Sequence, residues 1–530
     1  MPSLIETVTQ AEQKWPGQVQ GWLDRRKPVS ELRCNALEVL PKLARWLVID
    51  LDYRLAGLIA EEQAEAWEIR YLFYQERHEG WTHLIVRPPL KVKNLPSITP
   101  EIHAADWHER EIEDLFGITF EGHPLLGDFV LHNDLWREAI APMRRAFDPQ
   151  AALTEPAADL EWRPRRIVEG PGAFVMPVGP VFSGATESVQ FFLETVGEDV
   201  IRAFPRLFYK FRGVEKMAEG KSVDNCLLLA ERFTATSAVA HSWAFCQAVE
   251  TICRVRIPKR AQSLRILLAE LERLRHHLGV VHDICESTGL AVAASEAAIL
   301  EEDVLRICGA LTGHRYLFGL LVPGGLSADI ENSACLKAIE DAQEVLRRLA
   351  ELERMLRYSS SFLDRLEGVG ILSPEKARGF GLVGPVARAS GFGDDLRQTQ
   401  PYGGYGAMSF EVPTESEGDG FARLRILIAE CVQAVRLMAQ LPSSMEPGAV
   451  REDFHYEGHE GVGLGWTEAP RGAAFHWLRL GADGLVKRLR LITPSFVNWH
   501  GFHLAAEKFA FQDFPIILAT FGLSVAENDR

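Results

Sequence analysis

The chain lacks paired cysteines of the kind that bind metals. Its eight cysteines (residues 34, 226, 246, 253, 285, 308, 335 and 431) are scattered over 530 residues, and none forms a Cys-x-x-Cys motif. This excludes the usual thiolate spacings of zinc sites and iron–sulfur clusters. The pattern predicts reduced, mostly buried thiols, so any metal or cluster that this protein works with is expected to be held by another chain.

Long hydrophobic runs and an excess of basic residues are also absent. No apolar run approaches the ~18 residues that a transmembrane helix needs, and the first residues lack the apolar region of a signal peptide. The net charge of −16 argues against general nucleic-acid binding, because Lys and Arg supply the phosphate contacts. We therefore expect a soluble, cytoplasmic protein with no nucleic-acid partner.

The first part of the chain has an α+β pattern. We predict a short helix near residues 32–46, an apolar alternating segment over 46–60, and a hairpin around His78-Glu79-Gly80. Residues 105–117 predict a charged helix that stops at a glycine.

Later segments are dominated by long helical patterns. Residues 258–279 carry leucines at spacings of three and four, which predicts an amphipathic helix. Residues 339–358 repeat this pattern, and a late hairpin is predicted to turn at 481–484. We assign residues 1–135 to an α+β domain, 136–170 to a linker, and 171–530 to a large, mainly α domain.

The segment HEREIEDLFGITFEGHP (108–124) resembles the signature of the C-type subunit of complex I. That family carries an E-R-E-x-x-D-x-[FY]-G run ahead of G-H-P. The matching residues here are Glu109, Arg110, Glu111, Asp114, Phe116, Gly117, Gly122, His123 and Pro124.

From residue 177 onward the chain resembles the D-type subunit of complex I and the large subunit of group 4 membrane-bound nickel–iron hydrogenases. The resemblance rests on FRGVEKMAEG (211–220), RIPKRAQSLRILLAELERL (256–274), VPGG (322–325), GPVARASGFGDDLR (384–397), PYGGY (401–405), EAPRG (468–472) and a final DR (529–530). The fusion of a C-type domain to this large subunit is most similar to the formate hydrogenlyase-type hydrogenases. It implies an α+β domain followed by a mainly α domain.

The resemblance also implies that a metal site has lost its ligands. In nickel-bearing relatives two Cys-x-x-Cys pairs hold the nickel–iron centre, and the corresponding residues here are Thr234, Ser237, Ser524 and Glu527. Low-valent nickel needs soft, ionised sulfur donors, whereas Ser and Thr stay protonated near neutral pH and Glu is a hard ligand. We expect no metal on this chain and no hydrogenase activity of its own. The pair of histidines in HYEGH (455–459) has no third ligand nearby and is not predicted to bind zinc either.

Quinone reduction is the second chemistry that the resemblance implies. In D-type subunits a His and a Tyr contact the quinone head group, and the corresponding residues here are Phe182 and Ala235. Both polar anchors are therefore missing, although a quinone stays a candidate ligand. The candidate catalytic residues are Arg232, His241 and Arg471.

A set of charged residues is expected near the former metal pocket. In relatives several of these positions line the cavity or carry protons and conformational change toward the membrane subunit, but structural ion pairs between helices would look the same in sequence. The set comprises Arg212, Glu215, Arg388, Asp394, Arg397, Glu468, Asp529 and Arg530. Isolated buried ions are costly, so we expect mutual pairing.

The charged helix of the first domain has two interpretations. It is either a solvated face or an interdomain docking surface made by Glu109, Arg110, Glu111 and Asp114, and the resemblance favours docking.

The resemblance implies a peripheral subunit of a complex I-like or group 4 hydrogenase-like oxidoreductase on the cytoplasmic side of the inner membrane, coupling electron transfer to ion translocation. Its expected partners are an iron–sulfur small subunit that holds one cluster, a ferredoxin-like subunit, and membrane-embedded proton- or cation-translocating subunits. Two alternatives stay open: a quinone-reducing C/D-type subunit, and a non-catalytic structural subunit that keeps only the interface.

Overall fold

The first domain is built on a five-stranded sheet. In the computed structural model, which describes residues 3–24, 28–76, 80–136, 140–150, 159, 161–164, 166, 170–181, 187–443 and 445–530, the strand order is β1-β2-β5-β4-β3. The strands are β1 (Val19–Asp24), β2 (Val29–Cys34), β3 (Tyr53–Glu62), β4 (Trp67–Gln75) and β5 (Trp81–Val86). β2 and β5 are parallel and the other neighbours antiparallel. Every residue of β4 and β5 is buried, so both faces of the sheet centre are covered.

Three helices flank this sheet: α1 (Leu4–Lys14), α2 (Leu40–Arg45) and α3 (Asp106–Phe116). The predicted helix near 32–46 starts too early, because residues 32–34 complete β2 and pair with both β1 and β5. The predicted charged helix is confirmed, and it ends at Gly117, whose left-handed φ of 68° suits glycine. The β4–β5 hairpin is confirmed, while its predicted turn residues His78 and Glu79 lie outside the described residues.

The second domain contains more sheet than the sequence predicted. A four-stranded sheet has the order β16-β10-β9-β8, and a three-stranded sheet has the order β13-β14-β15. The remaining strand bounds are β6 (Asn94–Pro96), β7 (Thr119–Glu121), β8 (Ala173–Val178), β9 (Gln190–Val196), β10 (Asp199–Arg206), β11 (Leu321–Val322), β12 (Gly325–Leu326), β13 (Gly461–Ala469), β14 (Gly472–Leu480), β15 (Val486–Ile492) and β16 (Glu507–Ala510). The late hairpin is confirmed as β14 and β15.

Helices are nevertheless the dominant secondary structure of the second domain, which confirms the predicted fold class. They are α4 (Val214–Ala218), α5 (Val223–Arg232), α6 (Ala238–Cys253), α7 (Lys259–Ser287), α8 (Ala291–Thr312), α9 (Asn332–Arg357), α10 (Ser360–Leu363), α11 (Pro374–Gly379), α12 (Gly384–Arg388), α13 (Leu396–Thr399), α14 (Gly420–Gln440), α15 (Pro494–Ala505), α16 (Phe514–Phe521) and α17 (Val525–Asn528). The predicted leucine stripe is fully buried on the 29-residue helix α7. Helix α7 therefore lies in the main hydrophobic core of the domain.

Strand β13 and helix α6 approach each other unusually closely. A Cβ at Gly465 would collide with the backbone oxygen of Ala244, so only glycine permits the contact. This approach brings the start of α6 and the β13–β14 turn together.

The two domains share their hydrophobic cores. Tyr74 and Trp81 of the first sheet pack in the same cluster as the leucines of α7. Conversely, Trp499 of α15 packs in the cluster that holds the core of the first domain. The predicted linker also packs on the first domain, because Arg144 Nε lies 3.1 Å from Glu62 Oε2.

Candidate functional site

Glu527 lies at the centre of a buried polar cluster in the second domain. Ser237 Oγ donates to its Oε1 over 2.8 Å, and Arg471 Nη1 lies 3.1 Å from the same oxygen. Ser495 Oγ donates to Oε2 over 2.5 Å. Glu527, Ser237 and Ser495 are all fully buried, so these bonds replace the water that the carboxylate has lost.

Three separate parts of the chain position this cluster. Ser237 precedes α6, Arg471 occupies the β13–β14 turn, and Glu527 lies on α17. Arg471 Nε donates to Gly522 O over 2.6 Å, which ties the turn to the segment before α17. Ser524 caps α17, since its Oγ accepts from Glu527 N at 3.2 Å.

Two stacked histidines border the cluster. His241 Nε2 lies 3.7 Å from Glu527 Oε1, and His241 Nδ1 lies 3.0 Å from His476 Nε2. Burial drives the pKa of His476 well below its ordinary value, as does the neighbouring His241. His476 therefore stays neutral near pH 7. Its strand β14 offered no sequence signal beyond a buried position, so His476 was missed.

The charge of Glu527 is stabilised by its neighbours. Burial opposes ionisation, but Arg471 and His241 outweigh it and hold the pKa of Glu527 well below its usual range. Glu527 and Arg471 thus form an ion pair at the heart of the cluster.

The four former metal-ligand positions do not form one ligand set. Ser237 and Glu527 are directly bonded, whereas Thr234 Oγ1 lies 3.2 Å from Thr236 Oγ1. Ser524 Oγ donates to Glu187 Oε1 over 3.1 Å.

This donor set does not fit a nickel–iron centre. All eight cysteines are free and buried, and none occupies these positions. The cationic guanidinium of Arg471 donates to Ser237 and Glu527, so a metal ion would meet a positive charge there. The oxygens that are present are hard ligands, which nickel–iron centres do not use. Among the residues that the structure describes, the His, Cys and acidic side chains close enough to share an ion are His282, Asp283 and Glu286, none of which is one of these four positions.

A cleft of about 630 Å³ opens beside the cluster. Arg471 and Thr236 form part of its wall, and its other titratable lining residues are Glu187, Arg275, His276, Asp283, Glu286 and Glu301. Burial raises the pKa of Asp283 to about 6, and the carboxylates of Glu301 and Glu286 add to this effect. The cleft therefore combines a largely apolar wall with more acidic than basic groups, and Asp283 exchanges a proton near neutral pH.

A chain of buried groups leads inward from this cleft. His276 Nδ1 lies 3.2 Å from His277 Nδ1, and His277 Nε2 lies 2.9 Å from Glu430 Oε2. Arg388 Nη1 donates to Glu430 Oε1 over 2.6 Å. Glu430 and the two histidines were not predicted as site residues.

Arg388 lies at the centre of the predicted charged network. Besides Glu430, it pairs with Glu468 and with Asp395 (3.2 Å). Burial raises the pKa of Glu468 to about 7 although Arg388 opposes the rise. Arg397 continues the network through Asp395 at 2.7 Å and Glu270 at 3.0 Å.

Other members of the predicted network join the two domains. Asp394 Oδ2 accepts from Arg54 Nη1 at 3.1 Å and from Tyr74 Oη at 2.5 Å, both in the first domain. Arg530 Nη2 lies 2.7 Å from Glu111 Oε1 and its Nε lies 3.4 Å from Glu215 Oε1.

Glu215 is held by three arginines. It pairs with Arg488 at 3.0 Å, with Arg490 at 3.1 Å and with Arg530. Burial opposes ionisation, but these arginines lower the pKa of Glu215 to about 2. Arg490 also reaches Glu111 at 2.5 Å, so this set forms a buried seam between the domains.

Arg212 and Asp529 connect the segment before α4 to the last residues of the chain. Arg212 donates to the backbone oxygens of Phe233 (2.8 Å) and Ala526 (2.5 Å). The Asp529 carboxylate accepts from Phe208 N at 2.8 Å and Lys210 N at 3.0 Å, and burial raises its pKa to about 6.

Arg232 is not brought to the cluster. Its side chain is 53% exposed, pairs with Glu231 at 3.3 Å and lies over the ring of Phe318. Of the three predicted catalytic residues, only His241 and Arg471 contact Glu527. Phe182 lies outside the described residues, and Ala235 is exposed.

The predicted docking residues of α3 lie in three different environments. Glu111 bonds to Arg490 and Arg530 across the domain boundary. Glu109 instead accepts from Ser97, Ile98 and Thr99, and Asp114 accepts from the backbone of residues 129–131, all within the first domain. Arg110 faces a separate cavity.

Comparison with known proteins agrees with this architecture. The family model of the respiratory-chain NADH dehydrogenase 30 Kd subunit matches residues 36–152, and that of the 49 Kd subunit matches residues 283–461. The chain is 31% identical over 500 residues to formate hydrogenlyase subunit 5 of Escherichia coli (strain K12), covering 93% of this chain and 87% of that protein.

Two further relatives extend the comparison. Hydrogenase-4 component G of Escherichia coli (strain K12) is 28% identical over 513 residues, covering 96% of this chain and 89% of the relative. The C/D subunit of the NADH-quinone oxidoreductase of Gluconacetobacter diazotrophicus is 29% identical over 488 residues, covering 83% of this chain and 80% of the relative.

The fold and these comparisons define a fused large subunit of a membrane-associated redox complex. The chain belongs to the family that contains formate hydrogenlyase subunit 5 and the C/D subunits of NADH-quinone oxidoreductase. Within the described part of the chain, no helix is long and apolar enough to span a bilayer.

Proposed function

We propose that this chain is a coupling subunit of a multi-subunit oxidoreductase and does not activate hydrogen. The contacts of Glu527 with Arg471 and Ser237 carry the proposal. They join two positions that would hold metal ligands in nickel-bearing relatives, and they neutralise the carboxylate internally. A centre that depends on soft thiolates has no donors here.

The cleft beside Arg471 supports binding of an electron acceptor, with a quinone as the chemical class implied by the relatives. Its volume of about 630 Å³ suits a small-molecule head group. The usual His and Tyr anchors are absent, so Arg471, Thr236 and His276 are the polar groups available to orient an acceptor. This supports the quinone-reducing alternative over a purely structural subunit.

The series of buried side-chain contacts from His276 to Glu468 provides a route that couples the cleft to the charged network. Asp283 in the cleft and Glu468 within the network have pKa values of about 6 and about 7, so both exchange protons near neutral pH. Reduction of an acceptor consumes protons and would change the charge of this network. The network reaches the first domain through the contacts of Asp394 with Arg54 and Tyr74.

The partners that we propose follow from the family. They are a small subunit that holds an iron–sulfur cluster, a ferredoxin-like subunit, and membrane-embedded subunits that move protons or other cations. We propose that the chain lies at the cytoplasmic face of the membrane as a peripheral subunit.

The test uses the assembled complex purified with its native partners. We expect no nickel above background by elemental analysis, and reduction of a short-chain quinone analogue that falls about tenfold or more in Arg471→Ala and His276→Gln, equivalent to about 1.4 kcal/mol or more of activation free energy. Lys337→Ala, which removes an exposed ion pair on α9, is the control and should leave the rate unchanged.

Stoichiometric nickel would contradict the proposal. Wild-type quinone reduction in both pocket variants, with intact assembly by size-exclusion chromatography, would leave only the structural role.

A further inference from the structure

A second cavity, of about 470 Å³, lies between α3 and the strands β9 and β10. It shares no lining residue with the cleft beside Arg471. Four guanidinium groups line it, from Arg110, Arg163, Arg202 and Arg206. Apolar side chains, including those of Leu125 and Phe204, form the rest of the wall.

The two carboxylates in this cavity are already paired. Asp128 Oδ1 lies 3.0 Å from Arg206 Nη2, and Glu194 Oε1 lies 3.0 Å from Arg202 Nη2. The cavity therefore has a surplus of positive charge from Arg110 and Arg163.

Arg110 is buried and has few partners. It is 4% exposed and donates one hydrogen bond, from Nη2 to Gly127 O at 3.2 Å. Its guanidinium lies 4.4 Å from the centre of the Phe129 ring. Nε has no acceptor, and no carboxylate of the described residues lies within salt-bridge distance of this side chain. Asp106, Asp114, Asp128 and Glu113 attract the guanidinium from farther away, but burial outweighs them and lowers the pKa of Arg110.

The hydrogen bonding of the buried Arg423 differs from that of Arg110. It is also buried without a salt bridge, but Thr520 Oγ1, Gly418 O and Gly370 O accept its bonds at 2.9–3.0 Å. Every other buried arginine in the described part of the chain pairs with a carboxylate. Among the described buried arginines, Arg110 alone has neither a paired carboxylate nor a full set of acceptors, and a buried cation that is only partly compensated is costly.

We propose that this cavity binds a small organic anion whose carboxylate or phosphate pairs with Arg110. The planar guanidinium suits the oxygens of either group, and the apolar wall suits the body of the molecule. Arg163, at the exposed rim, supplies a second positive charge. This site is independent of the proposed coupling role, because none of its residues belongs to the Glu527 cluster or to the Arg388 network.

Thermal denaturation of the full chain tests the site, with phenyl phosphate, inorganic phosphate and chloride compared at equal ionic strength. We expect phenyl phosphate to raise Tm saturably and by more than inorganic phosphate. The variant Arg110→Gln should lose this shift, while its Tm without anion should equal or exceed that of the wild type. Isothermal titration calorimetry should give one phenyl phosphate per chain.

Arg423→Gln is the matched buried control and should lower Tm while keeping the anion-dependent shift. The proposal is wrong if chloride reproduces the effect of phenyl phosphate, if Arg110→Gln keeps the saturable shift, or if it lowers Tm as Arg423→Gln does. Binding that disappears in the assembled complex would instead assign the cavity to an acidic group of a neighbouring subunit.

Discussion

Glu527 is a fully buried carboxylate that stays charged because its neighbours supply every interaction that water would otherwise provide. Arg471 pairs with Oε1, Ser237 donates to the same oxygen, and Ser495 donates to Oε2. A buried pair of this kind adds little stability relative to an apolar replacement, but removing one partner leaves an isolated charge.

The single variant Arg471→Met should therefore lower the free energy of unfolding by about 3–5 kcal/mol, because Glu527 loses its counter-ion. The double variant Arg471→Met/Glu527→Leu should be more stable than Arg471→Met alone. Urea denaturation at pH 7 measures both. Lys337→Met, which breaks an exposed pair on α9, should change stability by less than about 1 kcal/mol. Glu527→Leu is the second single variant, and a double variant that loses the sum of the two single losses would refute this coupling.

Helix α6 begins beside the cluster and depends on a carboxylate from a different helix. Glu272 of α7 accepts from Val239 N at 2.7 Å and Ala240 N at 3.0 Å, in the first turn of α6. Burial raises the pKa of Glu272 to about 7, although these two backbone donors oppose the rise. The start of α6, which carries His241, is thus sensitive to pH.

The pH dependence of stability should reveal this group. In the folded chain Glu272 holds its proton up to about pH 7, whereas in the unfolded chain it loses it near the ordinary value of about 4.3. Its stabilising contribution is complete below about pH 4.3 and disappears as the pH rises to about 7. Glu272→Gln should flatten the wild-type decline in unfolding free energy between pH 4.5 and 7, measured by urea denaturation. An unchanged slope would show that Glu272 titrates normally.

The helices and strands differed in how well they could be predicted from the sequence. The leucine spacing of α7 and the glycine after α3 are local signals, so both helices were predicted correctly. The pairing of β10 with the edge strand β16 could not be predicted, because the two strands lie about three hundred residues apart in the chain, as the pairing of Val200 with Phe509 shows. β8 is only partly buried, which weakens its alternating pattern.

The two domains are held together by shared hydrophobic cores and by buried ion pairs between them. Tyr74 and Trp81 of the first domain pack with the leucines of α7. Glu111 contributes the first domain's charge to a seam with Arg490 and Arg530. Because each of the two main hydrophobic cores contains residues of both domains, unfolding one domain would expose the core of the other.

Calorimetry should therefore record one cooperative unfolding transition for the full chain rather than two. Glu111→Gln should lower its Tm, because Arg490 and Arg530 then lose a shared anion. The exposed carboxylate of Glu340 gives a control, since Glu340→Gln should leave Tm nearly unchanged. Two resolved transitions in the wild type would mean that the domains unfold separately.

The sequence by itself determined the order of the two domains, the family, and the absence of any Cys-x-x-Cys pair. These properties depend on residue identity and on spacing along short segments. Only the tertiary structure decided that Arg471 neutralises Glu527, that His476 and Ser495 complete the cluster, and that Arg232 stays outside it. It also separated Glu111 at the domain seam from Arg110 at a cavity, one residue away on the same helix. The physical reason is that buried charges select their partners by distance in space, and those partners come from strands and turns hundreds of residues apart.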